Sequence, residues 1–145
     1  LRFTTEALFD SVVNLNFKGP FRLASLVAKR MADGDGGSII NVSSSGALMP
    51  LPGTVPYGSA KAALNAMSKS LAWEYAPKVR VNTLSPGGFR TDIVEAWPDK
   101  GLGPINIPRG HAAEPNEILT AALFLASPAS INVTGSLVRC DGGQH

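Results

Sequence analysis

Apolar residues recur at helical spacing from the start of the chain: Leu8, Phe9, Val12, Val13, Leu15, Leu23, Leu26 and Val27. This predicts a helix reaching about Met31, with Thr4 as N-cap and Phe3 and Leu8 placed as a hydrophobic staple. Asp33-Gly34-Asp35-Gly36-Gly37 breaks it. Ser38 to Val42 (SIINV) is a short β-branched run between turn residues and reads as a buried strand. A loop rich in Gly and Pro runs to Pro56, and a second helix is expected from Tyr57 to Tyr75, with Ala60, Ala63 and Ala66 suited to a close helix contact. Val79 to Leu84 (VRVNTL) reads as a strand. Residues 86–113 hold Pro86, Pro98, Pro104 and Pro108 and read as irregular. Pro115 fits the first turn of a third helix, which ends by Ser127-Pro128. A last short strand spans Ser136 to Arg139, and Asp141-Gly142-Gly143 closes the pattern.

Helices alternating with short buried strands are the rhythm of βαβ units, so the expected fold class is α/β with a parallel sheet of about three strands. Ligands of such sheets bind beyond the carboxyl ends of the strands. Three strand ends run into polar or glycine residues: NVSSSG at 41–46, LSPGGFRT at 84–91 and CDGG at 140–143. They predict one cleft built by loops from separate parts of the chain.

Composition narrows the function classes. With 145 residues, 44% hydrophobic and 17% charged, the chain is expected to form a single domain over 1–145. The formal net charge of +2 and the scattered Lys and Arg argue against a nucleic-acid partner. The longest apolar run, Ile118 to Ala126, is too short to span a bilayer. A single cysteine, Cys140, excludes an intramolecular disulfide and fits a reducing, cytoplasmic setting. Cys140 reads as a packed strand residue rather than a nucleophile. No metal site is expected.

Tyr57 and Lys61 stand four residues apart in YGSAK, on one helix face, with small residues between them. A free phenol has a pKa of about 10 and is a poor acid or base at neutral pH. A nearby ammonium favours the phenolate, and a tyrosine so tuned can exchange a proton with an alcohol oxygen. Taken alone, the pair reads more readily as an ordinary piece of amphipathic helix, because motifs this short arise by chance. Its neighbours change the reading. Ser44 lies 13 residues before Tyr57 at a strand end, Asn16 lies on the preceding helix, and SPGGFRT follows the next strand.

In these blocks, and in FDSVVNLNFKGPF, GSIINVSSSGA, EPNEILTAALFLAS and VTGSLVRCDGG, the chain resembles the short-chain dehydrogenase/reductases of the Tyr-x-x-x-Lys type over essentially its whole length. The resemblance implies part of a Rossmann-like, doubly wound parallel sheet. It implies NAD or NADP as cofactor and a small-molecule alcohol or ketone as substrate. Tyr57 would be the general acid/base. Lys61 would lower the Tyr57 pKa and bind the nicotinamide ribose. Ser44 would hydrogen-bond the reacting oxygen, with Ser43 and Ser45 as neighbouring alternatives. Asn16, rather than Asn14, would hold a relay water. Pro86, Gly87, Phe89 and Thr91 would wrap the nicotinamide end, Phe89 through its backbone. Asn16 could instead be an inert helix residue, and Thr91 could merely cap a turn from Asp92. His111 reads as surface or lid structure and His145 as a terminal residue.

The resemblance is partial. No G-x-G-x-x-G turn occurs in the 145 residues, and the residue that selects between NAD and NADP is not found either. This suggests the catalytic half of a longer domain, so the chain alone is expected to be a poor dehydrogenase. Two classes therefore stand side by side: an oxidoreductase interconverting a secondary alcohol and a ketone, or a non-catalytic relative serving as a binding or assembly module. Within the family, the four-residue Tyr–Lys spacing argues against enoyl reduction. Apolar residues on several faces of the first two helices, and the family likeness, point to a homodimer or homotetramer.

Overall fold

The computed structural model describes residues 4–92 and 107–144. It is α/β. Helix α1 (Glu6–Val13) passes through a π-helical turn (Asn14–Lys18) into α2 (Gly19–Asp33). Strand β1 (Gly37–Val42), helix α3 (Val55–Tyr75) and strand β2 (Val79–Pro86) follow. Helix α4 (Leu119–Ala126) and strand β3 (Leu137–Cys140) complete the order. The strands form one parallel sheet, ordered β1-β2-β3, with Ile39 opposite Val81 and Leu84 opposite Val138. The expected fold class holds, and all three carboxyl ends lie on one side of the sheet.

Strand alternation divides the residues between two helical layers. Val79 and Val81 join Ala24, Leu64, Met67, Leu71 and Ala72 in the buried core beneath α2 and α3, with Ile39 packed against it. Fully burying a side chain such as Leu64 contributes about 1.5–3 kcal/mol. The intervening residues face α4. Ser38 Oγ donates to the Leu125 carbonyl at 2.8 Å. Arg80 donates to the carbonyls of Leu125, Ser127 and Val133 and to Ser130 Oγ. Its guanidinium thus satisfies carbonyls left open where α4 ends.

Several boundaries differ from the sequence expectation. The cap of α1 is Thr5, not Thr4: the helix begins at Glu6, so it is the Thr5 hydroxyl that accepts from Leu8 N–H. Phe3, the other half of the expected staple, lies outside the described residues. The long first helix is interrupted at Asn14–Lys18. Pro20 has no N–H to offer the Asn16 carbonyl, which a regular helix would require. Gly19 N–H reaches back five residues to Asn14 instead. Helix α3 starts at Val55 because Pro56 fits a helical first turn. A 3-10 turn (Pro115–Ile118) precedes α4, and β3 lies one residue later than expected.

Candidate active site

The loop at the carboxyl end of β1 meets the first turns of α3, and the loop after β2 leaves the same end of the sheet. After β1 the chain runs through Ser43 and Ser44 into a 3-10 turn, Ser45–Ala47. Alternation splits the serines. Ser43 is buried, and its hydroxyl donates to the Lys61 carbonyl at 3.3 Å. Ser44 points the other way, and its Oγ accepts from Gly46 N–H at 3.1 Å. That leaves the Ser44 O–H available to donate elsewhere.

Gly46 and Gly58 bring the two segments together. A Cβ on Gly46 would lie 3.5 Å from Ser44 Oγ and 3.8 Å from Cε1 of the Tyr57 ring, so both side chains flank this glycine. A Cβ on Gly58 would lie 2.7 Å from the Gly46 carbonyl oxygen, closer than side-chain carbons approach. Helix α3 can pack this tightly on the serine turn because Gly58 has no side chain.

Lys61 sits one helical turn after Tyr57, with its Nζ 5.8 Å from the centre of the tyrosine ring. The ammonium donates to the Val42 carbonyl at 2.9 Å. Burial pulls the Lys61 pKa below its ordinary value. Asn16 lies on the π turn, which packs against α3, and its amide donates to the Val12 carbonyl at 2.9 Å. A π turn inside a helix is a frequent mark of functional positions.

The β2 loop is placed mostly through its backbone. Gly87 N–H donates to the Cys140 carbonyl at 3.0 Å, and a Cβ there would meet Asp141 Cα at 2.7 Å. Phe89 pairs with Ala113 in a parallel bridge. Pro86 ends β2, and Thr91 is exposed at a bend beside Asp92. The structure therefore brings Ser44, Tyr57 and Lys61 together and sets Pro86, Gly87 and Phe89 at the next strand end. The cover expected over residues 88–113 falls largely outside the described residues. His111 is exposed, with Nδ1 beside the Ala112 carbonyl. The Cys140 thiol is pushed up by burial and then by Asp141, in keeping with a packed residue. Among the described residues no group of His, Cys, Asp and Glu could hold a metal, and no helix is long and apolar enough to cross a membrane.

A family described as enoyl-(acyl carrier protein) reductase matches residues 2–145. The chain belongs to the short-chain dehydrogenase/reductase family. It is 38% identical over 141 residues to a 3-oxoacyl-[acyl-carrier-protein] reductase of Thermotoga maritima, covering 95% of this chain and 57% of that one. It also superposes on solved dehydrogenase structures. One is a 4-hydroxyisoleucine dehydrogenase complexed with NADH, with TM-score 0.89, 30% identity, and coverage of 99% of this chain and 61% of that one. Another is a gluconate 5-dehydrogenase from Burkholderia cenocepacia in complex with NADP and tartrate, with TM-score 0.91, 29% identity, and coverage of 99% and 58%. The chain thus spans less than two thirds of the length of these relatives.

Proposed function

We propose that these residues form the catalytic part of an NAD(P)-dependent oxidoreductase that interconverts a secondary alcohol and a ketone. The observation that carries this reading is the meeting of Ser44, Tyr57 and Lys61 at the carboxyl end of a parallel sheet. Bound NAD(P)H would supply the hydride. The residues present suit its nicotinamide end. The Lys61 ammonium has three N–H donors, one of which meets Val42, so others can serve a ribose. Gly87 and Gly88 let the loop lie close against Asp141 and Ile107, which fixes its backbone at the end of β2.

In reduction, Ser44 Oγ donates a hydrogen bond to the substrate carbonyl and holds it beside the Tyr57 ring. The Tyr57 hydroxyl passes its proton to that oxygen as the carbon receives the hydride, giving the alcohol. The Lys61 ammonium lies 5.8 Å from the centre of the tyrosine ring, beside the group that gives up the proton. Asn16, on the π turn against α3, would hold a water that links Lys61 to solvent as a proton relay. The four-residue spacing of Tyr57 and Lys61 supports carbonyl rather than enoyl reduction. The substrates named for the relatives, an oxoacyl thioester and small hydroxy compounds, support a ketone substrate without choosing among them.

The test is Tyr57→Phe in the whole gene product, assayed with NADH and NADPH against a panel of ketones and one enoyl thioester. The ring still packs, so cofactor affinity should stay within about twofold while kcat falls by about 10²–10⁴-fold. Turnover equal to wild type in Tyr57→Phe, or enoyl reduction alone in the wild type, defeats the reading.

A further inference from the structure

Two arginines flank the junction between the β2 loop and the approach to α4, and both are held by one helical turn. Arg90, three residues beyond Gly87, pairs with Glu114 at 3.2 Å. Arg109 pairs with Glu117. Glu114 and Glu117 are themselves joined as a capping box at the start of the Pro115–Ile118 turn, the Glu117 carboxylate accepting from Glu114 N–H at 2.7 Å. Glu117 thus bonds both Arg109 and the N-cap of the turn.

The backbone follows the same circuit. Arg90 N–H donates to the Ala113 carbonyl at 2.8 Å, and Ala113 N–H donates to the Gly88 carbonyl at 2.9 Å. Arg109 N–H donates to the Gly142 carbonyl at 3.0 Å, while Gly87 N–H donates to the Cys140 carbonyl. Gly142 has φ +64, and a Cβ there would strike the Ile107 side chain at 2.6 Å. Gly87 to Arg90, Ile107 to Glu117 and Cys140 to Gly142 therefore close into one ring.

Each ion pair is largely exposed and on its own would contribute little to global stability. Their arrangement fits a different role. The structure assigns Glu114 and Glu117 as positioning residues that hold the β2 loop, through Arg90 and the Arg109 strap, at the height of the site. This rests on the reading of Gly87 to Phe89 as a nicotinamide contact. Neither carboxylate touches the reacting atoms. They act by fixing where the backbone of Gly87 and Gly88 presents itself.

The test uses the whole gene product and four variants: Glu114→Gln, Glu114→Lys, Arg90→Glu and the double Glu114→Lys/Arg90→Glu. Hydrogen exchange at the Arg90 and Ala113 amides reads the ring directly and needs no activity. Glu114→Lys should speed exchange there by about tenfold and raise KM for NADH or NADPH by about tenfold, with kcat changed less and the melting temperature nearly unchanged. Glu114→Gln should show a smaller effect in the same direction. The double variant should recover most of both losses, which loss of a helix cap alone would not allow. Unchanged exchange in Glu114→Lys overturns the proposal, as does failure of the double variant to recover. If the wild type turned over no carbonyl substrate, the proposed function would fail, and the exchange measurements would still decide the ring.

Discussion

Gly58→Ala probes the contact that sets Tyr57 against Ser44. In an exposed helix the change would stabilise by about 0.8–1 kcal/mol, because alanine is the better helix former. Here the new methyl would lie 2.7 Å from the Gly46 carbonyl oxygen, whereas ordinary contact begins at 3.4 Å. The serine turn and α3 must separate by about 0.7 Å, since the obstacle is backbone rather than a movable side chain. Overpacking of this kind costs about 1–3 kcal/mol, so the net loss is about 1 kcal/mol and the melting temperature falls by a few degrees. The effect on activity should be larger. A misplacement of about 1 Å can cost about 10²-fold, so kcat/KM should fall by at least about tenfold. Melting curves and kcat/KM are measured for Gly58→Ala and for Ser59→Ala, its exposed neighbour, as control. Ser59→Ala should be neutral in both. A Gly58→Ala protein that melts higher than wild type with unchanged kcat/KM would show that the close approach at Gly46 does not set the site.

The Glu117 carboxyl is held below its ordinary range, first by the Arg109 hydrogen bond and then by Glu114 N–H. Its folded pKa is depressed, so its contribution is complete above the ordinary glutamate value of about 4.3 and is lost as pH falls through the depressed one; carboxyl NMR titration should find that lowered pKa, and Arg109→Gln should return it toward the ordinary value. Leu15, Leu23 and Leu26 are each at least 65% exposed and Trp73 is 89% exposed, so the helical layer presents a wide apolar surface. Light scattering of the whole gene product at micromolar concentration should therefore give a dimer or tetramer, and a monomer would refute that expectation.

The alternation of helical and strand periods made the α/β class legible, because each short strand is a β-branched run bounded by turn residues. The spacing of Ser44, Tyr57 and Lys61 was legible too, since a strand end and a helix first turn are brought together by a short loop. What the sequence did not reveal were contacts between residues distant in the chain. Gly46 and Gly58 read as incidental glycines until their mutual approach is seen. Nothing local announces that Arg80, in a strand, ends a helix some 45 residues on. Pro20 was the available signal for the π turn, because a proline four residues after Asn16 removes that carbonyl's usual donor; helical periodicity on both sides concealed it.

Lys61 illustrates why the site depends on β1 as much as on α3. Helical spacing brings its ammonium near Tyr57, but spacing alone would let a four-carbon side chain swing into water. Val42, the last residue of β1, and Ser43 just beyond it hold Lys61 at two points. Ser43 holds the backbone carbonyl of Lys61, and the Val42 carbonyl accepts from its ammonium. The half-buried cation is penalised by desolvation, which is the direction of its pKa shift. The Val42 carbonyl offsets part of that penalty without neutralising the charge, because a carbonyl accepts a hydrogen bond and takes no proton. A carboxylate in its place would bind the ammonium more tightly and neutralise its charge. A neutral backbone partner at a strand end leaves the charge effective and its remaining N–H donors free, which is the condition the proposed proton transfer requires.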